Sequence, residues 1–118
     1  MNLNNWYCQV FLDTDDSPLP ILESILGSKA APFTIQHPLM EVDIERNEDF
    51  HPLERYSDFL FFRYYLDIEP TPNTGESDYI DLIGAILVHL WQNKIPAVAA
   101  CDFEDRLPNQ GHRQYFGD

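Results

Sequence analysis

The sequence predicts a small α+β domain built from one antiparallel sheet and two helices. Several short runs alternate apolar and polar residues, as half-buried strands do, and two other runs repeat at the three- and four-residue steps of a helix. These segments follow one another in the order β-α-β-β-α-β. We therefore predict a ferredoxin-like βαββαβ sandwich with both helices on one face of the sheet. Right-handed crossovers would place the first and third strands side by side in its middle.

The first strand and first helix are predicted within residues 6–27. Residues 6–13 read WYCQVFLD and alternate well enough for a strand. The helix is expected to start at Ser17 and Pro18, because serine accepts from free N–H groups and proline tolerates the first helical position. Gly27 is placed to end it.

The middle of the chain predicts the central strands. FTIQH and MEVDIER, at 33–37 and 40–46, are either one strand interrupted at Pro38 or two short strands. Residues 47–58 form a polar connection that is long enough to hold a turn of helix. Residues 59–69 are then predicted as a strand. One face of it carries Leu60, Phe62, Tyr64, Leu66 and Ile68, and the other carries Phe59, Phe61, Arg63, Tyr65, Asp67 and Glu69.

The stretch from Ser77 to Phe103 predicts a long helix followed by a buried strand. Ser77 or Asp78 is expected to cap the helix, and Pro96 forbids its continuation. The small apolar residues of AVAACDF, at 97–103, are typical of an interior strand. Residues 103–118 are predicted to be a polar C-terminal tail, and residues 1–118 to be a single domain.

Charge is the strongest compositional feature of the chain. Twenty acidic residues face seven Lys and Arg, for a net charge of −13. Such a field repels nucleic acids and anionic lipids and attracts cations and basic proteins, although solubility alone can also explain an acidic composition. No apolar run approaches the roughly 18–20 residues of a membrane span, and the N-terminus lacks the pattern of a secretory signal. We expect a cytoplasmic protein that binds neither membrane nor nucleic acid.

Two cysteines, Cys8 and Cys101, each lie in an apolar strand-like run. We expect two buried free thiols in a reducing compartment, with a disulfide as the alternative.

The sequence shows no catalytic or cofactor motif. DTDDSP at 13–18 looks like a calcium loop, but Pro18 and Ser24 stand where an EF-hand needs Gly and Glu. The histidines lie far apart, and no Cys or His has metal-ligand spacing. We therefore predict no metal, no cofactor and no enzymatic activity. Asp102, Glu104 and Asp105 do gather just past a strand end, where carboxylates could serve acid–base chemistry or Mg²⁺.

The sheet face opposite the helices is the predicted partner-binding surface. Aromatic rings supply buried area there and carboxylates select a basic partner. Coverage by loops, by the tail or by a second copy in a homodimer is the alternative. The candidate residues are Glu41, Asp43, Glu45, Phe59, Phe61, Tyr65, Asp67 and Glu69, together with Asp102, Glu104 and Asp105 at the strand exit.

The closing block LWQNKIPAVAACDFEDRLP, at 90–108, and the acidic single-domain character resemble the immunity proteins of bacterial polymorphic-toxin and contact-dependent inhibition systems. The resemblance implies a cytoplasmic protein that binds and neutralises one cognate toxin, often a basic nuclease. These families share no general functional motif, so the candidate residues above rest on charge alone. Two alternatives stay open: a DNA-mimicking inhibitor of a nucleic-acid enzyme, and a small metal-binding or enzymatic domain that uses the carboxylates at 102–105.

Overall fold

A computed structural model describes residues 6–113, and it contains one antiparallel sheet and two helices. The predicted α+β class is confirmed. In chain order the elements are β1 (Cys8–Leu12), α1 (Leu19–Leu26), β2 (Thr34–Gln36), β3 (Met40–Arg46), β4 (Tyr64–Pro70), α2 (Glu76–Gln92), β5 (Ala97–Ala100) and β6 (His112–Arg113). Short 3₁₀ turns lie at Glu54–Tyr56, Phe59–Phe61, Glu104–Arg106 and Pro108–Gly111. Among the described residues, no helix has the length and apolar character needed to cross a membrane.

The sheet has the order β2-β3-β4-β1-β5-β6, and every neighbouring pair is antiparallel. The four-stranded ferredoxin-like arrangement is not confirmed, because five strands and the two-residue β6 form the sheet. Part of the difference arises at Pro38. There the chain turns back, and the backbone N–H groups of His37 and Met40 each donate to the other residue's carbonyl oxygen. FTIQH and MEVDIER therefore form the hairpin β2–β3. This is the two-strand alternative, and it adds an edge strand.

The main core lies between the helices and one face of the sheet. It includes Cys8, Val10 and Leu12 of β1 and buried residues of both α1 and α2. At its end, the rings of Trp6, Tyr79 and Phe103 pack with centroids 5.8–6.2 Å apart. The Tyr79 hydroxyl lies 2.6 Å from the carbonyl oxygen of Trp6, to which it donates. This cluster joins β1, α2 and the segment after β5.

The helix ends differ slightly from the predicted ones. Gly27 ends α1 in the left-handed conformation (φ 68°), and its N–H donates to the Glu23 carbonyl, as expected for a C-terminal glycine. Ser17 accepts from the N–H of Leu19 at 3.3 Å, but Pro18 occupies the N-cap position. The α2 helix begins at Glu76 after Gly75, so the predicted caps Ser77 and Asp78 lie inside its first turn.

Residues 59–69 do not form one strand, and this prediction is wrong in its first half. Phe59–Phe61 form a 3₁₀ turn, and β4 begins only at Tyr64. The Asp58 carboxylate accepts from the N–H of Leu60 at 3.0 Å and so caps this turn. Phe62 is buried, but it packs with Phe11 and Val98 on the face opposite to the predicted one.

A buried carboxylate holds the connection between β3 and β4 in place. Asp13, whose side chain is 0% exposed, lies 3.0 Å from Nε of Arg55 and accepts from the backbone N–H of Arg63 at 3.0 Å. The Arg63 guanidinium also stacks over the ring of Phe50, 4.2 Å from its centroid. These contacts fold residues 47–63 against the end of β1.

The chain leaves the sheet earlier than predicted at its C-terminal end. The fifth strand, β5, ends at Ala100 rather than at Phe103. Residues 104–113 form two 3₁₀ turns and β6, so this part of the predicted polar tail is structured and returns to the sheet edge. The rest of that tail, and residues 1–5, lie outside the described residues.

Candidate partner-binding surface

Carboxylates on β3 and β4 form a two-by-two grid on the outer face of the sheet. Glu41 pairs with Glu69, and Asp43 pairs with Asp67. Directly paired residues of an antiparallel sheet point to the same face with Cβ atoms about 4.5–5.5 Å apart, and like charges in such positions are destabilising. Glu45 extends the row along β3. These five residues, Glu41, Asp43, Glu45, Asp67 and Glu69, are called the acidic face below.

Neutral donors flank the acidic face. Thr34 on β2 donates its hydroxyl to Asp43 at 2.5 Å, and Gln36 donates to Glu41. Among residues 6–113, Arg55, Arg63 and Arg106 form ion pairs with Asp13, Asp15 and Glu76, none of which belongs to the acidic face. The grid therefore keeps its negative charge available for a partner.

Asp67 accepts hydrogen bonds from two side chains of the β1 segment. The hydroxyl of Tyr7 donates to it, and Nε2 of Gln9 lies 3.3 Å from the same carboxylate oxygen. Burial and the hydrogen bond to Asp67 raise the pKa of Tyr7. The phenol therefore stays protonated at neutral pH and keeps its donor role.

Tyr65 marks the boundary between the acidic half and the apolar half of the outer face. It pairs with Glu45 on one side and with Phe11 on the other. Its ring centroid lies 5.9 Å from that of Phe11. Burial, followed by the nearby charge of Asp67, raises the pKa of the Tyr65 phenol. Tyr65 thus presents a half-buried, protonated aromatic ring beside the carboxylates.

Phe59 and Phe61 do not lie on the open sheet face, which corrects the prediction for both. Because they belong to the 3₁₀ turn, their rings are set by the loop and not by strand alternation. Phe59 packs edge-on against Phe11 at 5.3 Å and also contacts His112. Phe61 packs edge-on against His51 at 6.5 Å. The turn covers the β1–β5 half of the face, and the β3–β4 half is left accessible.

The carboxylates at the exit from β5 line one open depression, together with Cys101, Gln110 and His112. The Glu104 carboxylate accepts from the backbone N–H of Cys101 at 3.0 Å, which holds this carboxylate against the turn that follows β5. Asp102 and Asp105 are exposed, on either side of the fully buried Phe103. Within residues 6–113, no group of three or more His, Cys, Asp or Glu side chains is placed to hold a metal ion. The exit is a solvated acidic turn.

Sequence reasoning found the carboxylates of the face and missed the residues that organise them. Thr34 and Gln36 alternate with buried Ile35, a polar pattern that could have placed them beside the β3 carboxylates once the hairpin was assumed. Asp13 carries no comparable signal, because its burial depends on Arg55 and Arg63, far away in the sequence.

The fold and this surface together define a small α+β domain with one acidic sheet face. No family model matches the chain, and comparisons with curated proteins and with solved structures give no significant match.

Proposed function

We propose that the chain is an immunity-type binding protein that neutralises a basic protein toxin by covering the toxin's cationic surface with the acidic face. The observation that carries this proposal is the pairing of Glu41 with Glu69 and of Asp43 with Asp67. Among the described residues, no basic side chain is a hydrogen-bond partner of these carboxylates. An arrangement that costs folding free energy is explained if a cationic partner supplies the missing countercharge.

The chemistry of the surface supports a basic protein as the partner. Carboxylates form short, often bidentate hydrogen bonds with Arg, and a nuclease that binds phosphate carries clustered Arg and Lys. Tyr65 and exposed Tyr7 add aromatic area at the margin of the acidic face. Binding would therefore occlude the residues that the toxin uses on its substrate, and it requires no catalysis by this chain.

A homodimer through the same face is less favoured. Apposing two copies of the acidic face would bring ten carboxylates together on a chain whose net charge is already −13. The two free thiols support the cytoplasm as the compartment in which the partner is met.

The proposal also includes a ferredoxin-like fold for the central part of the domain. The central strands follow the order β3-β4-β1-β5, and residues of both helices pack in one core with β1. These observations support a ferredoxin-like unit that has been extended by β2 at one edge and β6 at the other.

The proposal is tested by capture and protection experiments with a matched pair of variants. One variant removes three charges from the acidic face (Glu41→Gln, Asp43→Asn, Asp67→Asn). The control removes three exposed charges elsewhere (Asp16→Asn, Asp49→Asn, Asp81→Asn), so both carry the same net charge. The product of the adjacent gene, or a protein captured from the source cells, is expected to be basic, to be toxic when expressed alone, and to be neutralised by the wild type and the control.

The face variant is expected to lose binding by about 100-fold or more, because each charge-assisted contact contributes roughly 1.5–3 kcal/mol. Equal protection by both variants would refute the acidic face as the contact. A third variant with Asp102→Asn, Glu104→Gln and Asp105→Asn tests the β5 exit as the alternative surface. The immunity role itself fails if no basic protein is bound or neutralised.

A DNA-mimicking inhibitor is the second candidate, and the spacing of the carboxylates favours it specifically. Glu41, Asp43 and Glu45 follow one another at alternate positions of β3, about 6.6–6.8 Å apart. A single DNA strand carries one phosphate per about 3.4 Å of helix axis, which is about twice the linear charge density of the β3 row. The paired carboxylates of β3 and β4, Glu41 with Glu69 and Asp43 with Asp67, together reach that density. This candidate predicts that duplex DNA competes with the chain for its partner, whereas a toxin that does not bind nucleic acid would exclude it.

A further inference from the structure

Cys8 and Cys101 lie beside each other at the end of the β1–β5 ladder. The last pair of that ladder is Gln9 with Ala100; Cys8 precedes Gln9 on β1, and Cys101 directly follows the end of β5. Both are free thiols; Cys8 belongs to the main core and Cys101 packs against that core. Two residues separated by most of the chain are thus brought to neighbouring positions.

The geometry of this position suits a disulfide. Opposed residues of an antiparallel pair have Cα atoms about 4.5–5.5 Å apart, and a disulfide requires about 4.4–6.8 Å. Both side chains lie at the same core and in neighbouring register, so closure needs a rotation of the sulfur atoms and little movement of the backbone.

The two thiols differ in a way that assigns them separate roles. Cys8 is fully buried, whereas Cys101 is partly exposed at the point where the chain leaves the sheet. The neighbouring Cys101 thiol, followed by burial, raises the pKa of Cys8. The neighbouring Cys8 thiol lowers the pKa of Cys101 against the opposing effects of burial and of Glu104 and Asp102. Cys101 is therefore the accessible nucleophile, and Cys8 is the thiol held next to it.

We propose that Cys8 and Cys101 form a redox-active dithiol that is oxidised to an intramolecular disulfide by a small-molecule disulfide such as oxidised glutathione. The Cys101 thiolate attacks one sulfur of the oxidant, forms a mixed disulfide and releases one glutathione thiolate. Cys8 loses its proton to water and attacks Sγ of Cys101, which forms the Cys8–Cys101 bond and releases the second glutathione thiolate. Two electrons pass from the cysteine pair to the oxidant, which leaves as two reduced glutathione molecules.

Closure would bind the β5 exit to β1. The bridge would encircle residues 8–101 and fix the start of the turn that carries Glu104, whose carboxylate already accepts from the N–H of Cys101. A bond that closes so long a loop restricts the unfolded chain strongly. The oxidised protein should therefore unfold at a higher temperature than the reduced one.

The test is to incubate the reduced wild-type protein with oxidised glutathione, block the remaining thiols with iodoacetamide and measure the intact mass. We expect a product lighter by two hydrogens with no alkylated cysteine, and a Cys8–Cys101 cross-link in its non-reducing peptide map. Its midpoint of thermal unfolding should rise by roughly 5 °C or more and return on reduction. Cys8→Ala should stop at one glutathione on Cys101, and Cys101→Ser should stay unmodified.

The wild-type peptide map decides the question even if a variant fails to fold. Two alkylated cysteines after equilibration with oxidised glutathione would overturn the proposal. A stable glutathione adduct on wild-type Cys101, or a disulfide only between two chains, would overturn it equally.

Discussion

Asp43 on β3 stands directly opposite Asp67 on β4, and both side chains point to the outer face of the sheet. Each carboxylate accepts from neutral groups, Thr34 for the first and Tyr7 and Gln9 for the second. Hydrogen bonds from neutral donors hold the two carboxylates in place but leave their charges unbalanced. The pairing makes this half of the sheet the clearest candidate for a cationic partner.

Removing one charge of this pair should stabilise the fold. We expect Asp43→Asn to raise the free energy of unfolding by about 0.5 kcal/mol, since like charges in opposed positions cost roughly 0.2–1 kcal/mol. Urea unfolding at low and high salt measures it, and the gain should shrink with salt. Asp81→Asn, an exposed change on α2, should bring no stabilisation. A loss of stability in Asp43→Asn would contradict the repulsion.

The contacts of Asp13 should make its replacement strongly dependent on the new side chain. Asp13→Ala leaves buried donors of Arg55 and Arg63 without their acceptor, and we expect a loss of about 3 kcal/mol. Asp13→Asn keeps an acceptor oxygen and should cost much less at neutral pH. Chemical unfolding of both variants measures the difference. Equal losses would show that an acceptor oxygen at residue 13 does not account for the stability that Asp13 contributes.

The pH dependence of stability provides a separate test of the same residue. Burial raises the pKa of Asp13, against the lowering effects of the Arg63 N–H and of the Arg55 charge. The folded chain therefore binds this proton more tightly than the unfolded chain, whose Asp pKa is about 3.9. The stability that Asp13 contributes relative to Asp13→Asn should be largest below about pH 4 and decline as the pH rises through the folded value. A contribution that grows with pH would contradict this sign.

The buried hydroxyl of Tyr79 should contribute measurably to stability. It donates to the carbonyl of Trp6 at 2.6 Å and lies 3.2 Å from that of Ile68. Tyr79→Phe leaves these buried acceptors without that donor, so we expect a loss of about 1–3 kcal/mol in the free energy of unfolding. Tyr56→Phe, a change at a residue that is 64% exposed, should cost less than Tyr79→Phe.

Alanine substitutions at two glycines allow the cost of backbone strain to be distinguished from the cost of steric overlap. Gly27 and Gly111 both have positive φ, 68° and 72°, but a Cβ at Gly27 would meet nothing within 4 Å. At Gly111 it would lie 3.0 Å from Cβ of Ala99 and 3.2 Å from Cδ1 of Leu107. Gly27→Ala should cost about 1–2 kcal/mol, and Gly111→Ala at least about 1 kcal/mol more, because overpacking adds to strain. Thermal unfolding measures both, and equal losses would show that the tail segment adjusts without cost.

Local patterns in the sequence were sufficient for several features. The alternation of MEVDIER placed Glu41, Asp43 and Glu45 on one face, because side chains alternate sides along any strand. Gly27 ended α1 because glycine adopts positive φ without a steric penalty. The partner itself stays a proposal, since surface charge specifies a kind of ligand and not its identity.

The sequence by itself determined the composition of the elements, the charge of the chain and which residues alternate along each strand. Tertiary structure alone decided that Asp43 faces Asp67, that Phe62 turns to the outer face, and that Cys8 and Cys101 come to neighbouring positions. Each of these depends on the register between segments far apart in the chain, and a shift of one residue would send every side chain of a strand to the other face. Local periodicity carries no information about that register, because it is set by the packing of the whole sheet against its helices and by the loop that Asp13 anchors.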